Sequence, residues 1–461
     1  MRGAGGLAAR GALGRRNWTE GSIIGNLWTL YWPMLITNSL TTLGPFIDLF
    51  WVGKLGAASI AGVGVSGIAV TVVNSLMTGL FSGTSAMCSR AVGAGDEETA
   101  NRTAQQAFVI GLAYSILLAI IGIFLAEKIL TVLGVEAAVV AQGAAYMRIQ
   151  FIGMVTMGSV TVSQSIMYAS GDSRTPMKVN LGYRIFHMLL CPLLVFGAGI
   201  FPNLGVRGAA LSNVIAQALG GSVALWILFS GRTRLRITLK NFRFDGNIIW
   251  RTVRIGIPAS ITQVERSFSD LVLVRLIIPF GTFAVAAHSV PQRIDQLVQM
   301  PCGGIGTAAG VLAGQNLGAG KPDRAAKGGW IAAGLATAFT AFASILIWLW
   351  VDNFITFYAN GNQDIVQLAS TFLRIQVFGY LLWGGVIALS MCLNGAGDTT
   401  ITMITNLTSM WGVSISLAFV LSQYTDLGVN GIRWAMVIGI IVRTVIYTTY
   451  FKSGRWQRKM V

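Results

Sequence analysis

Charged side chains are scarce in this sequence: they make up 11% of 461 residues, against 54% hydrophobic ones, and mean hydropathy is +0.66. A chain of this length would fold into two or three soluble domains if it could keep their surfaces wet, and so little charge cannot cover them. Cysteine is scarce too. Cys88, Cys191, Cys302 and Cys392 lie within or at the ends of apolar runs without CxxC spacing, which supports neither a disulfide framework nor a zinc site. There is no GxxxxGK[ST], so ATP-driven pumping by this chain is not expected. HExxH, paired catalytic aspartates on facing helices and a readable Ser–His dyad are also missing, which argues against an enzyme. No selectivity-filter string marks a channel, and no alternating short stretches mark a transmembrane β-barrel. No cofactor is expected.

What is present is apolar sequence in long runs. A bilayer core needs about 20 apolar residues per helix, and twelve segments supply them: 26–50, 62–88, 104–125, 140–168, 177–200, 206–229, 250–277, 284–314, 327–351, 366–392, 402–423 and 430–451. Each is predicted helical, because backbone groups in lipid must be satisfied within the segment. The net charge of +16 is placed by topology. With twelve spans, one side takes Arg2, Arg10, Arg15, Arg16, Arg90, Arg102, Arg174 and Lys178, then Arg232 to Arg254 with Lys240 among them. Lys321, Arg324, Lys327, Lys452, Arg455, Arg458 and Lys459 fall on that side too. The other side holds little beyond Lys54, Lys128 and Arg207. The positive-inside rule then makes both termini cytoplasmic, with anionic lipid headgroups rather than nucleic acid as partners. The first residues, rich in Arg, Gly and Ala and free of acid, have a transit-peptide-like composition but no apolar signal-peptide core after them, and they are read as a basic cytoplasmic tail.

The sequence also repeats itself with a shift of about 225 residues. Arg148-Ile149-Gln150 returns as Arg374-Ile375-Gln376, Gly93-Ala94-Gly95 as Gly318-Ala319-Gly320, Ser170-Gly171-Asp172 as Ala396-Gly397-Asp398, and Leu204-Gly205-Val206 as Leu427-Gly428-Val429. The Gly-Ala-Gly loops read as helix C-caps rather than phosphate cradles. Six spans return the chain to its starting side, so the copies run parallel. The predicted architecture is an all-α polytopic membrane protein of twelve transmembrane helices in two six-helix lobes, related by a pseudo-twofold axis along the membrane normal. Its divisions are a basic tail over 1–22, an N-terminal lobe over 23–230 and a cytoplasmic linker over 231–249. A C-terminal lobe over 250–452 and a second basic tail over 453–461 follow. A duplicated apolar chain of this kind reads first as a transporter, since two like bundles can rock about a shared midplane cavity.

Several strings, in order and at matching spacing over about residues 22–456, resemble the multidrug and toxic compound extrusion (MATE) family. They are Trp32-Pro33-Met34, Ile47-Asp48-Leu49-Phe50-Trp51-Val52-Gly53-Lys54-Leu55-Gly56, Gly256-Ile257-Pro258-Ala259, Met300-Pro301, the run Val311 to Gly320, and Leu393-Asn394-Gly395-Ala396-Gly397-Asp398-Thr399. The resemblance is to the prokaryotic type, nearest the DinF-like branch. It implies export of organic cations or amphipathic drugs, driven by protons or sodium, from the inner (plasma) membrane of a bacterium or archaeon, by a protein expected to be a monomer. DinF-like members carry an aspartate before a proline in the fifth span, where this chain has Cys191-Pro192, and an asparagine four residues earlier, where it has His187. NorM-like members carry a glutamate near the position of Glu265-Arg266. The alternative within the wider superfamily, a lipid-linked saccharide flippase, fits less well, because twelve spans and a mixed-charge interior differ from its longer, strongly cationic form.

Ionisable groups at membrane depth face a cavity or each other, and three helical stripes collect them. On the first span Asn38, Thr41, Thr42, Pro45 and Asp48 recur at helical spacing. Asp48 is read as a proton- or cation-coupling residue, with neutralisation by Lys54 as the alternative. The fifth span aligns Asn180, Tyr183, Arg184, His187 and Cys191, where His187 is a second coupling candidate. The seventh aligns Thr262, Glu265, Arg266, Ser269 and Asp270. There Arg266 and Asp270 either neutralise each other or leave Glu265 and Asp270 as sodium or drug-cation contacts. Asn38, Thr41, Asn180, Tyr183 and Asp295 complete the candidate contacts, His288 is assigned no role, and no catalytic residue or firm metal ligand is predicted.

Overall fold

The computed structural model describes residues 17–459 apart from 133, 135, 198, 200, 239–241 and 359–362. The tail arginines Arg2, Arg10, Arg15 and Arg16 and the linker's Lys240 lie outside the described residues. Among the described residues there are helices and no strands. The first half comprises α1 (Ile23–Val52), α2 (Ala57–Ala94), α3 (Glu97–Val132), α4 (Ala137–Ile152), α5 (Met154–Ala169), α6 (Arg174–Phe196) and α7 (Val206–Ser230). The second comprises α8 (Gly246–Ile277), α9 (Thr282–Gly318), α10 (Pro322–Tyr358), α11 (Gln363–Gly395), α12 (Thr399–Gln423) and α13 (Val429–Lys452).

Nine of the described helices are long and apolar enough to cross a bilayer, and ten if α4 and α5, bent by 48° at Gly153, count as one span. The expected continuous fourth span is therefore broken in two. Its counterpart α11 runs unbroken, while α12 carries a π-helical stretch over Thr408–Ile415. Two further long helices, α1 and α8, the first of each lobe, carry Asp48 and Glu265, Arg266 and Asp270 respectively. Their polarity marks where the molecule departs from a plain lipid-facing bundle, and with them the chain has twelve spans in two lobes.

Side chains start both lobes alike. Ser22 Oγ accepts the Gly25 N–H at 3.3 Å at the head of α1, and Asp245 accepts the N–H groups of Asn247 (3.0 Å) and Ile248 (3.1 Å) at the head of α8. Helix α8 begins earlier than expected, at Gly246, because Asp245 caps it. The repeat is copied in its turns: Gly56 and Gly281 (φ 118° and 94°) each follow a short 3₁₀ turn, and Gly171 and Gly397 have φ 84° and 85°. A side chain at such angles would be strained. Arg148–Glu127 (2.8 Å) and Arg374–Asp352 (3.1 Å) are repeat-matched ion pairs at the surface.

The Gly-Ala-Gly loops do more than cap. Their second glycines, Gly95 and Gly320, are left-handed, but the first glycines face the opposite lobe. A Cβ on Gly93 would lie 2.0 Å from the Gln315 carbonyl oxygen, and one on Gly318 would lie 2.0 Å from that of Arg90. With Ser89 and Gly314 also in contact, α2 and α9 cross through small residues at i and i+4. Farther along, Gly79 and Gly83 admit the backbone of α8 at Ser260 and Thr252. Hydrogen bonds between lobes lie from mid-depth to the basic face: Ser39–Met300, Ser260–Leu76, Thr252–Met87, Gln315–Ala169, and Arg90 to the carbonyls of Ala396 and Lys459. Among the described residues closure is one-sided, on the basic face.

Both predicted tails are partly docked. Trp456 is fully buried, stacked on Phe451 at 4.6 Å, and Lys459 pairs with Asp398. At the other end Trp18 is buried, and Arg324 of α10 binds the Glu20 and Gly21 carbonyls at 2.8 Å. A tryptophan in each segment gains more from the bundle's apolar end than from water.

Candidate functional site

Asp48, near the end of α1 away from the basic face, has no exposed surface. Its neighbours Val52, Cys191, Val195, Ala209 and Ala210 form an apolar wall in which an ionised carboxylate needs donors. Three helices supply them. Tyr146 of α4 donates its hydroxyl to Oδ2 at 2.7 Å, His187 of α6 meets Oδ1 through Nε2 at 3.0 Å, and Asn213 of α7 approaches Oδ2 at 3.5 Å. The Cys191 thiol lies 4.0 Å from Oδ1.

Each donor is oriented by a second polar residue one turn along its own helix. Gln150 donates to the Tyr146 oxygen at 2.9 Å, which leaves the tyrosine proton for Asp48. Arg184 faces His187 Nδ1 at 3.2 Å. A guanidinium is donor-only, so Nδ1 accepts and the imidazole proton sits on Nε2, aimed at Asp48. Gln217 donates to Asn213 Oδ1 at 2.9 Å, which turns the Asn213 amide nitrogen to the carboxylate. Gly44 makes the arrangement fit, since a Cβ there would lie 2.3 Å from Arg184 Nη1. The result is a sealed network in which Asp48 and Arg184 sit on opposite sides of a histidine whose two ring nitrogens both have partners. It also has a built-in readout: a proton on Asp48 turns an acceptor into a donor, so one contact must reverse or break.

The structure thus brings Asp48 and His187 together. The alternative partner Lys54 lies elsewhere, over the rings of Trp51 (4.6 Å) and Phe50 (5.2 Å). Asn180 and Tyr183 are buried one turn toward the basic face and bond each other at 2.7 Å. Thr41 is exposed and bonds its own helix at Thr37, and Asn38 lies near Gly303 at the lobe boundary; neither reaches Asp48.

In the second lobe Arg266 and Asp270 form no ion pair among the described residues, because Arg266 turns to Gln299 of α9. Glu265 accepts from Ser269 at 2.6 Å and has Trp411 and Arg443 as neighbours. Asp270 is exposed. Asp295 accepts from Tyr380. His288, assigned no role from the sequence, is buried and bound to Arg433 at 2.8 Å. A twelfth-span arginine covers it from a direction the α9 sequence does not show.

A sequence profile of the MatE family matches residues 33–193 and 258–420, both lobes of the fold. The chain belongs to the MatE family. Among its relatives, the probable multidrug resistance protein YoeA of Bacillus subtilis is 26% identical over 93% of both chains. Two solved structures share its fold at 23% identity. One is a MATE protein in the bent conformation (TM-score 0.87, covering 95% of this chain and 96% of the other). The other is a MOP superfamily transporter from Pyrococcus furiosus, for which reverse polarity of the binding pocket is said to suggest a different function (TM-score 0.89, covering 96% and 98%).

This MatE chain is therefore a transporter rather than an enzyme, and the Asp48 network lies inside its N-terminal lobe. Sequence reasoning missed Tyr146, Gln150, Asn213 and Gln217. Their signal was available: each pair is an i, i+4 polar couple on an otherwise apolar span.

Proposed function

We propose that this protein exports organic cations or amphipathic drugs in exchange for protons or sodium, by rocking of two lobes about a central cavity. The observation that carries this reading is the Asp48 network, a carboxylate sealed in apolar surroundings whose hydrogen bonds must rearrange when it takes up a proton. Protonation then becomes a packing event between α1, α4, α6 and α7, which is what coupling to lobe movement requires. Relatives named as multidrug resistance proteins support drugs as cargo. The basic face is the cytoplasmic one, so both termini are inside the plasma membrane, and closure on that face corresponds to an outward-open state. Glu265 and Asp270 on α8 are the cation contacts, for drug or sodium. The protein works as a monomer among lipids.

The test is dye efflux from proteoliposomes under imposed proton or sodium gradients. Wild type is expected to respond to one of them, and Asp48→Asn to lose coupled efflux while remaining folded in detergent. Efflux indifferent to both gradients, or full coupled efflux by Asp48→Asn, overturns the reading.

A second reading, movement of an anionic amphiphile such as a lipid-linked saccharide, is favoured by one feature. On the second-lobe spans Arg266, Arg275, Arg293, Arg433 and Arg443 outnumber Glu265, Asp270 and Asp295. Competition between cationic and anionic amphiphiles in the same assay separates the two.

A further inference from the structure

The chain has only two histidines, one in each lobe, and in each of them Nδ1 faces an arginine. His187 is fully buried with Nδ1 facing Arg184 at 3.2 Å, beside the Asp48–Tyr146 bond of 2.7 Å. His288 is 2% exposed with Nδ1 facing Arg433 at 2.8 Å, and Arg433 in turn acts on the Asp295–Tyr380 pair. The second cluster is not a copy of the first. In the repeat register Asp295 falls on Val70, His288 on Val63 and Arg433 on Ala210, and Asp48 falls on Leu273. The two lobes therefore reach the same set of groups (carboxylate, tyrosine hydroxyl, histidine and guanidinium) at unrelated positions.

We infer that Asp295 is a second proton-binding site, so that each lobe carries one proton per transport cycle. The inference rests on the antiport reading above and extends it to stoichiometry. The charged and titratable groups that act on Asp295 are Tyr380 from α11, Arg433 from α13, and Arg266 and Asp270 from α8, with His288 of α9 reached through its bond to Arg433. Ionised Asp295 accepts from Tyr380 and feels the charge of Arg433 without an ion pair among the described residues, and that guanidinium lies over the Phe372 ring at 5.0 Å. Arg433 is 1% exposed, and its Nε and Nη1 have no partner, so the guanidinium is incompletely satisfied and can follow a change of charge at Asp295.

The proton goes to Asp295 rather than His288, because His288 Nδ1 meets a donor and a second ring proton there would face Arg433. Sodium fits poorly. It needs several oxygens, whereas this cluster offers the Asp295 carboxylate and one tyrosine oxygen beside the positive charge of Arg433. In the step itself, Asp295 takes a proton from the medium on one side and becomes a donor toward Tyr380. It releases the proton on the other side after the lobes move.

The experiment measures protons moved per substrate and the pH dependence of efflux in proteoliposomes, with folding checked by size-exclusion chromatography. Asp295→Asn is expected to lower the stoichiometry from about two protons to about one, with some coupled efflux retained. Tyr380→Phe, which removes one hydroxyl, is expected to shift the pH midpoint without loss of transport, and it serves where Asp295→Asn does not fold. Unchanged stoichiometry in Asp295→Asn, or an unchanged midpoint in Tyr380→Phe, overturns the inference while leaving antiport standing. A wild type that ignores a proton gradient overturns the proton-antiport reading itself, and this inference with it.

Discussion

At the scale of single residues, the Asp48 site is defined less by the carboxylate than by residues that do not touch it. Gln150, Arg184 and Gln217 each commit an ambidextrous group to donation, and a carboxylate surrounded by committed donors has nowhere to place its own proton. Removing one commitment should therefore help protonation. Gln150→Leu frees the Tyr146 oxygen to accept from protonated Asp48, so the pH of half-maximal proton-driven efflux should rise. One hydrogen bond is worth about 1 kcal/mol, or roughly 0.7 of a pH unit. A pH profile of efflux reads this directly, and a fall or no change would show that the tyrosine does not report to Asp48. Asp48 and His187 were legible in the sequence because charge at membrane depth is rare enough to stand out. Tyr146 and Asn213 were not, since an uncharged polar residue in a span is common, and only the fold shows which face meets the carboxylate.

At the scale of elements, the glycines of the repeat fall into two kinds that sequence alone does not separate. Gly95 and Gly320 serve backbone angles, while Gly93 and Gly318, two residues earlier, serve the approach of α2 to α9. A turn signal is local and can be read from a string. An inter-lobe contact is not, because the partner lies about 225 residues away and announces itself only through the symmetry of the repeat. Gly93→Ala tests the distinction. Its Cβ would meet the backbone oxygen of Gln315, which no side-chain rotation relieves, so the helices must part at the cost of about 1–3 kcal/mol. A lower melting midpoint in detergent and faster thiol labelling of a cysteine placed at the basic face are expected. Gly64→Ala, where nothing lies within 4 Å, should change neither. Equal behaviour of the two variants would mean that the crossing is looser than its geometry indicates. The same reasoning explains the broken fourth span: Gly153 reads as one more small residue in an apolar run, and only packing against Val214 of α7 shows why the chain bends there.

At the scale of the whole molecule, two lobes of nearly equivalent backbone carry charges that do not follow the repeat. Interactions that only hold the shape, such as the paired Arg148–Glu127 and Arg374–Asp352 bridges, recur between lobes, whereas the buried networks around Asp48 and Asp295 are placed independently. On the antiport reading proposed above, symmetry supplies two alternative closures, one on each face, and the asymmetric charges decide which closure is stable at a given protonation state. If so, the contacts that now join the lobes must open once per cycle. Arg90 spans that boundary, donating from α2 to the carbonyls of Ala396 at 2.8 Å and Lys459 at 2.6 Å. Cysteines at Arg90 and Lys459, joined by a short cleavable bifunctional thiol reagent, should stop efflux, and cleavage of the reagent should restore it. The same double variant before the reagent is added is the reference, since it has already lost the Arg90–Ala396 bond and the Lys459–Asp398 pair. The native cysteines are all buried, which keeps them out of the reaction. Undiminished turnover by the cross-linked protein would mean that the basic face never opens, and the lobes would then have to work by some motion other than rocking.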